Sequence, residues 1–273
     1  MELASGSRTA VWTFSVKGGV GKTTWARGLR ALARAAGQPI AAYDGDGMRG
    51  GLTRYEALRT VEGELLDPSG RHFLMLQDAL EGVVPFYMRD PAQRDMLLNV
   101  IDTSFQTFLI DFPGDIEREI EEIVGATREV IRVYRESGVD VVVVIPITTE
   151  PTSINSIEVA LDAFEDMVRY IVVKNLSSGS PDAFKEWSDF RDEYRRSENP
   201  RLRKRFESLR GETIAMPGML PQMRKLMEQQ QMPFDALLRN EMTKTADKAR
   251  IRVWLERFQE ALPAWFNEAV LGE

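Results

Sequence analysis

One octapeptide constrains this chain more than any other stretch: Lys17-Gly18-Gly19-Val20-Gly21-Lys22-Thr23-Thr24. It follows an aliphatic run, residues 11–16, that predicts a strand, and it opens a segment, residues 23–36, that predicts a helix. A glycine-rich turn in that position, ending in Lys-Thr, has the context of a phosphate-binding loop. Its glycines let the backbone curl until successive N–H groups face an anion, and the helix N-terminus adds a favourable dipole. On that chemistry Lys22 reaches the β- and γ-phosphates of a nucleotide, and the Thr23 hydroxyl binds Mg²⁺. Gly18, Gly19, Val20, Gly21 and Thr24 complete the cradle.

The rest of the chain agrees with this start. Aliphatic or β-branched runs at 40–43, 108–110, 139–145, 170–173 and 213–215 predict further buried strands. Helix-length segments at 116–136, 153–168 and 181–196 fall between them. In the second of these helices Ile154, Ile157, Leu161, Phe164 and Val168 recur at spacings of three and four, which makes one apolar face. Strands alternating with helices predict an α/β fold: a mostly parallel twisted sheet with helices on both faces. Residues 47–91 are less regular and are assigned to loops and short helices lying over the sheet. A single domain over 1–273 is expected, with residues 1–9 flexible and 236–273 a helical cap.

Composition removes several chemistries. The chain has no cysteine, so it holds no disulfide, thiolate zinc site or iron–sulfur ligand. Its one histidine, His72, cannot build a multi-histidine metal centre. The most apolar run, 139–147, is interrupted by Asp140 and Pro146 and is far shorter than the ~20 residues that span a bilayer. Residues 1–10 lack the apolar stretch of a secretory signal. A soluble cytoplasmic protein is expected. The net charge of −7 means that any nucleic-acid contact must come from a local patch.

The phosphate loop departs from the common form: Val16 stands where a first glycine is usual, and a second lysine, Lys17, begins the motif. In this the chain resembles the ParA/MinD family of P-loop NTPases with a deviant Walker A motif, K-G-G-x-G-K-[ST]. The resemblance implies that Lys17 reaches across an ATP-bound homodimer to the partner's phosphates, where a cation stabilises the transferring phosphoryl group. Asp44-Gly45-Asp46 is similar to the family's D-x-D, which implies that Asp46, with Asp44 in reserve, orients the attacking water or holds a Mg²⁺-bound water. The run Phe108-Leu109-Ile110-Asp111-Phe112-Pro113-Gly114 looks like a Walker B strand, with Asp111 on Mg²⁺ through water and Gly114 sensing the γ-phosphate. The strand ending in Asn175 resembles the one whose asparagine reads adenine, and Pro217 falls in the loop near the base. The likeness runs from about Val11 to Phe234 and is most specific at the phosphate loop.

What such an ATPase is for depends on its surfaces. The resemblance implies a slow ATPase, stimulated by an activating partner protein, that dimerises on ATP and segregates or positions DNA or other cargo. Non-specific DNA contact is assigned to Arg191–Arg210, where eight basic residues (Arg191, Arg195, Arg196, Arg201, Arg203, Lys204, Arg205, Arg210) face four acidic ones. Lys244, Lys248, Arg250 and Arg252 form a weaker second stretch. Nucleoid association would follow from DNA contact. The C-terminal apolar face (Trp254, Leu255, Phe258, Leu262, Trp265, Phe266, Val270) has no lysine or arginine after Arg257 and is broken by Pro263, so it is expected to pack on the domain and not on a membrane. The alternative is an ATP-dependent regulatory or metabolic switch acting on a protein or small-molecule client held by residues 47–104, with Arg71 and His72 as contacts.

Overall fold

The computed structural model describes residues 8–60, 64–65, 77–187 and 200–272. Among them seven strands form one sheet: β1 (Arg8–Thr13), β2 (Ala41–Asp44), β3 (Val84–Pro85), β4 (Thr107–Asp111), β5 (Val139–Ile147), β6 (Arg169–Asn175) and β7 (Glu212–Met216). Their order is β3-β2-β4-β1-β5-β6-β7, and every pairing is parallel. The expected α/β class and parallel sheet are therefore observed. The chain builds β2, β3 and β4 on one side of β1 and then crosses to build β5, β6 and β7 on the other. Loops leaving the C-terminal ends of β1 and its neighbours diverge at that point, which opens the crevice where ligands of such sheets bind.

Side chains alternate between two cores, as the pleat requires. Trp12, Phe108, Ile110, Val143 and Ile145 point to one face, where they meet α4 (Glu117–Val124), α5 (Thr127–Glu136) and α6 (Asn155–Phe164). Trp12 sits edge-on among Phe112, Tyr134 and Phe164 at 5.2–5.9 Å between ring centroids. Val11, Leu109, Val142 and Val144 point to the other face, against α1 (Lys22–Ala35), α8 (Pro221–Gln230), α9 (Phe234–Arg239) and α10 (Thr245–Ala261). There Gly28 of α1 lets α10 approach: a Cβ at Gly28 would lie 2.7 Å from the Phe258 ring. Trp254, Leu255 and Phe258, with Leu262, Phe266 and Val270 beyond α10, are buried, so the C-terminal apolar face is turned inward. No described helix is long and apolar enough to cross a membrane.

Several boundaries differ from the sequence reading. β1 begins at Arg8, inside the terminus expected to be flexible, because the Arg8 guanidinium binds the carbonyls of Ile101, Thr103 and Phe105 at 2.7–2.8 Å; it ends at Thr13, leaving residues 14–16 to the loop. The single helix expected at 116–136 is two, divided at Gly125, whose left-handed φ of +88° ends α4. The helix expected to run to Val168 stops at Phe164, where Glu165 takes φ +48°. Residues 181–187 form two 3₁₀ turns where a helix was expected; residues 188–196 of that prediction lie outside the described residues. β3, two residues long, was not foreseen at all.

In the irregular region, α2 (Gly51–Glu56) lies beside α1, and the single turn α3 (Met96–Asn99) precedes β4. After α2 the Gln77 amide closes a base on Leu58, accepting from its N–H at 2.8 Å and donating to its carbonyl at 2.9 Å. Arg71 and His72 lie outside the described residues.

Candidate nucleotide-binding site

The loop between β1 and α1 has the conformation that its glycines permit. Gly19 and Gly21 adopt φ of +76° and +110°, which L-residues rarely adopt. Gly21 is also sterically required, since a Cβ there would fall 2.6 Å from the Asn175 amide nitrogen. Helix α1 starts at Lys22 with no capping side chain and no acid in its first turn. Its orphan N–H groups and positive dipole end are thus left for an external anion. They border a cavity of about 220 Å³ lined by Gly19, Gly21, Lys22, Thr23 and Thr24.

The start of the loop is pinned by residues that no motif marked. Ser156 of α6 lies 3.0 Å from the Ser15 hydroxyl and accepts from the Val16 N–H at 3.2 Å. Lys17 turns back on its own chain, pairing with Glu150 and donating to the Thr152 hydroxyl at 3.1 Å. Both partners lie in the loop after β5.

Acids converge from two strand ends. Asp111 accepts from the hydroxyl of Thr13 and, at 2.7 Å, from that of Thr23. Burial pushes its carboxyl up, against the opposing pull of those hydroxyls and of Lys22. Asp44, next to it, is pushed up to about 7 by burial and by the Asp111 charge. It is held by the N–H groups of Asp46 at 3.0 Å and Thr53 at 2.7 Å and by the Thr53 hydroxyl at 3.0 Å. The Lys22 ammonium is buried, which lowers its pKa, while Asp111 and Asp46 oppose that shift. Asp46 is exposed, and no described residue hydrogen-bonds its carboxylate. Of the pair in D-G-D, then, Asp44 is a structural anchor and Asp46 faces solvent near Lys22. Gly114 lies against the same loop: the neighbouring Asp115 N–H reaches the Ser15 carbonyl at 3.3 Å.

Asn175 has an occupied amide. It donates to the Val20 carbonyl at 2.9 Å and accepts from the Ser177 N–H at 3.0 Å. In this structure it supports the phosphate loop, and reading a base would require it to leave those partners. The Pro217 carbonyl accepts from the Trp254 indole at 2.9 Å. Helix α2 is tied to α1 by a buried acid: Glu56 lies 3.8, 3.5 and 2.9 Å from the guanidinium groups of Arg27, Arg30 and Arg34. The Cβ that Gly51 lacks would lie 2.6 Å from the Thr23 hydroxyl.

The basic stretch is divided by the fold. In α7 (Pro200–Ser208) Arg203 is buried over the Trp187 ring, and Arg205 is anchored to Asp162 and the Leu161 carbonyl. Arg201, Lys204 and Arg210 are exposed. Arg191, Arg195 and Arg196 lie outside the described residues.

Over 93% of its length the chain superposes on 98% of the MinD cell division protein of Aquifex aeolicus, with a TM-score of 0.50 at 17% identity. The chain has the MinD fold. Two further structures are similar over more than nine-tenths of both chains. One is an ATP complex of an McdA variant from Cyanothece, at 15% identity and a TM-score of 0.46. The other is a proposed plasmid partition protein from Borrelia burgdorferi bound to AMPPNP, at 13% identity and a TM-score of 0.40. No family model and no curated sequence matches the chain. In this chain the neighbouring ends of β1, β2 and β4 bring Thr13, Asp44 and Asp111 together beside the start of α1.

Proposed function

We propose that this chain is a Mg²⁺-dependent ATPase that dimerises on ATP and uses that switch to segregate or position DNA or other cargo. The observation that carries the reading is the uncapped, acid-free N-terminus of α1 standing over a cavity with buried Lys22 at its edge. A group carrying several negative charges complements it, and a triphosphate is such a group.

The residues present fit a magnesium ion. Thr23 and Asp111 supply hard oxygen donors 2.7 Å apart, and two adjacent buried carboxylates with raised pKa values leave the site short of positive charge. When bound, the ion neutralises charge on the phosphates. Thr23 and Asp111 would hold it, Asp111 through water, with Asp46 on a further water.

The chain's own groups then divide the work. Lys22 and the loop N–H groups bind the β- and γ-phosphates. Asp46, whose carboxylate has no described hydrogen-bond partner, orients the attacking water. Lys17 leaves Glu150 and Thr152 and extends to the phosphates of a second copy, so that each chain completes the other's site. Hydrolysis cuts the γ-phosphate from ADP, and its departure as inorganic phosphate takes away the charge that holds Lys17 across the interface and releases the dimer. The exposed Arg201, Lys204 and Arg210 contribute the described part of a non-specific DNA surface, and a partner protein accelerates turnover.

Equilibrium binding of a fluorescent ATP analogue, light scattering and phosphate release test this together. Lys22→Ala loses nucleotide binding. Lys17→Ala binds nucleotide but neither dimerises nor hydrolyses. A Lys17→Ala protein that dimerises and turns over normally overturns the cross-dimer role. A wild-type protein that binds no ATP overturns the whole reading.

A further inference from the structure

Five large apolar side chains are exposed among the described residues, and three of them, Leu220, Met242 and Val253, are 52%, 87% and 44% exposed along one trough. The trough lies between α8 and α10. It consists of two adjoining cavities of about 310 and 550 Å³ that share Arg250 as a lining residue. Its α10 wall is a single stripe: Ala246, Arg250, Val253 and Arg257 follow at spacings of four, three and four, the positions that share a helix face. Its α8 wall repeats this with Gln222, Lys225 and Gln229.

The charge along the trough is net positive. Lys225, Lys244, Arg250 and Arg257 line it against a single acid, Asp247, which is paired with Arg250 at 2.6 Å. In a chain of net charge −7 this is a local reversal. Small alanines at 246 and 249 keep the floor low, and Leu220, Met223 and Val253 make it apolar. Cations alone would suit a nucleic-acid backbone, but phosphates gain nothing from an apolar floor. An amphipathic helix with an apolar stripe and acidic flanks uses both features, as helix-in-groove recognition does.

We infer that the α8–α10 trough is the docking site for an acidic amphipathic helix of a partner protein. The trough holds the helix's apolar side chains against Leu220 and Val253, while the cations set its orientation and speed its arrival.

The probe is a synthetic peptide of about 20 residues, long enough to be helical, with leucines at i, i+3, i+4 and i+7 and glutamates between them. Its charge-reversed lysine twin is the control. Binding is measured by fluorescence anisotropy to the full chain, with and without ATP, and to Lys22→Ala, so that the result is separate from the nucleotide reading. The expected result is saturable binding of the acidic peptide alone. Val253→Asp weakens it at least about tenfold, and Arg250→Glu with Arg257→Glu does the same; all these sites are on the surface, and circular dichroism checks that each variant is folded. The inference is overturned by equal binding of the lysine twin, by indifference to Val253→Asp, or by no saturable binding. Displacement of the peptide by short duplex DNA would assign the trough to nucleic acid, and displacement by ATP would assign its Pro217 end to the base; either result also overturns the proposal.

Discussion

Asp44 and Asp111 are register partners at the ends of adjacent parallel strands, so that two buried carboxylates stand side by side. Burial and the Asp111 charge push the Asp44 carboxyl up to about 7, against about 3.9 for a free aspartate, and burial displaces Asp111 in the same direction. Between those values the folded state holds more protons than the unfolded one, so stability falls as pH rises from about 4 to about 7. Asp111→Asn removes the neighbouring charge; one of the Thr13 and Thr23 hydroxyls goes on donating to the amide oxygen, and the other turns to accept from the amide NH2. Thermal unfolding of the nucleotide-free protein should decline through this window. In the variant the decline flattens, with a gain of about 1–2 kcal/mol at neutral pH. An unchanged slope would show that the two acids do not share a field.

Among the described residues, Glu56 is the only acid that forms ion pairs with the buried guanidinium groups of Arg27 and Arg30. Glu56→Gln strands both and should cost about 3–5 kcal/mol in urea unfolding. Arg34, 18% exposed at its side chain, can return to water. Its replacement by alanine should cost roughly 1 kcal/mol.

The two left-handed glycines of the phosphate loop separate strain from collision. A Cβ at Gly19 meets nothing within 4 Å, whereas at Gly21 it meets Asn175. Gly19→Ala should cost about 1–2 kcal/mol from backbone strain alone. Gly21→Ala should cost more and abolish nucleotide binding. Adding Asn175→Ala to Gly21→Ala should recover part of the lost stability but not the binding, because φ stays unfavourable. Calorimetry and nucleotide titration of the three proteins check this; full rescue of binding would make the collision the whole effect.

Lys17 is engaged by Glu150 of its own chain. If that pair competes with the partner's phosphates, Glu150→Gln frees the lysine. ATP-dependent dimerisation should then reach its midpoint at a protein concentration about two- to fivefold lower, the range of a half-exposed ion pair. Sedimentation velocity across a dilution series reads the shift, and a midpoint that stays or rises would show that Glu150 does not restrain Lys17.

The fold and the loop were legible because both rest on local signals. The β-branched runs marked six strands, and Gly-Lys-Thr after a strand marked the start of α1. What escaped depends on contacts distant in sequence. Thr13 and Asp111 meet only because β1 and β4 are neighbours in register. Ser156 and Glu150 reach the loop from the segment that follows β5. Arg203 looked like part of a basic surface, but an arginine buried on Trp187 has the same one-letter signature as a solvated one. β3 was missed because Val84–Pro85 is too short for any periodicity, and β2 alone holds it in the sheet.

Two hydrogen bonds between Leu58 and Gln77, 19 positions apart, fix the two ends of the intervening segment side by side. Whatever is threaded between those residues adds to closure entropy only as the logarithm of its length, while the sheet and the phosphate loop are insulated from it by two hydrogen bonds. A fluorescent reporter or a second domain spliced between Leu58 and Gln77 would therefore enter the chain at two ends already held together, with the nucleotide site left as it is.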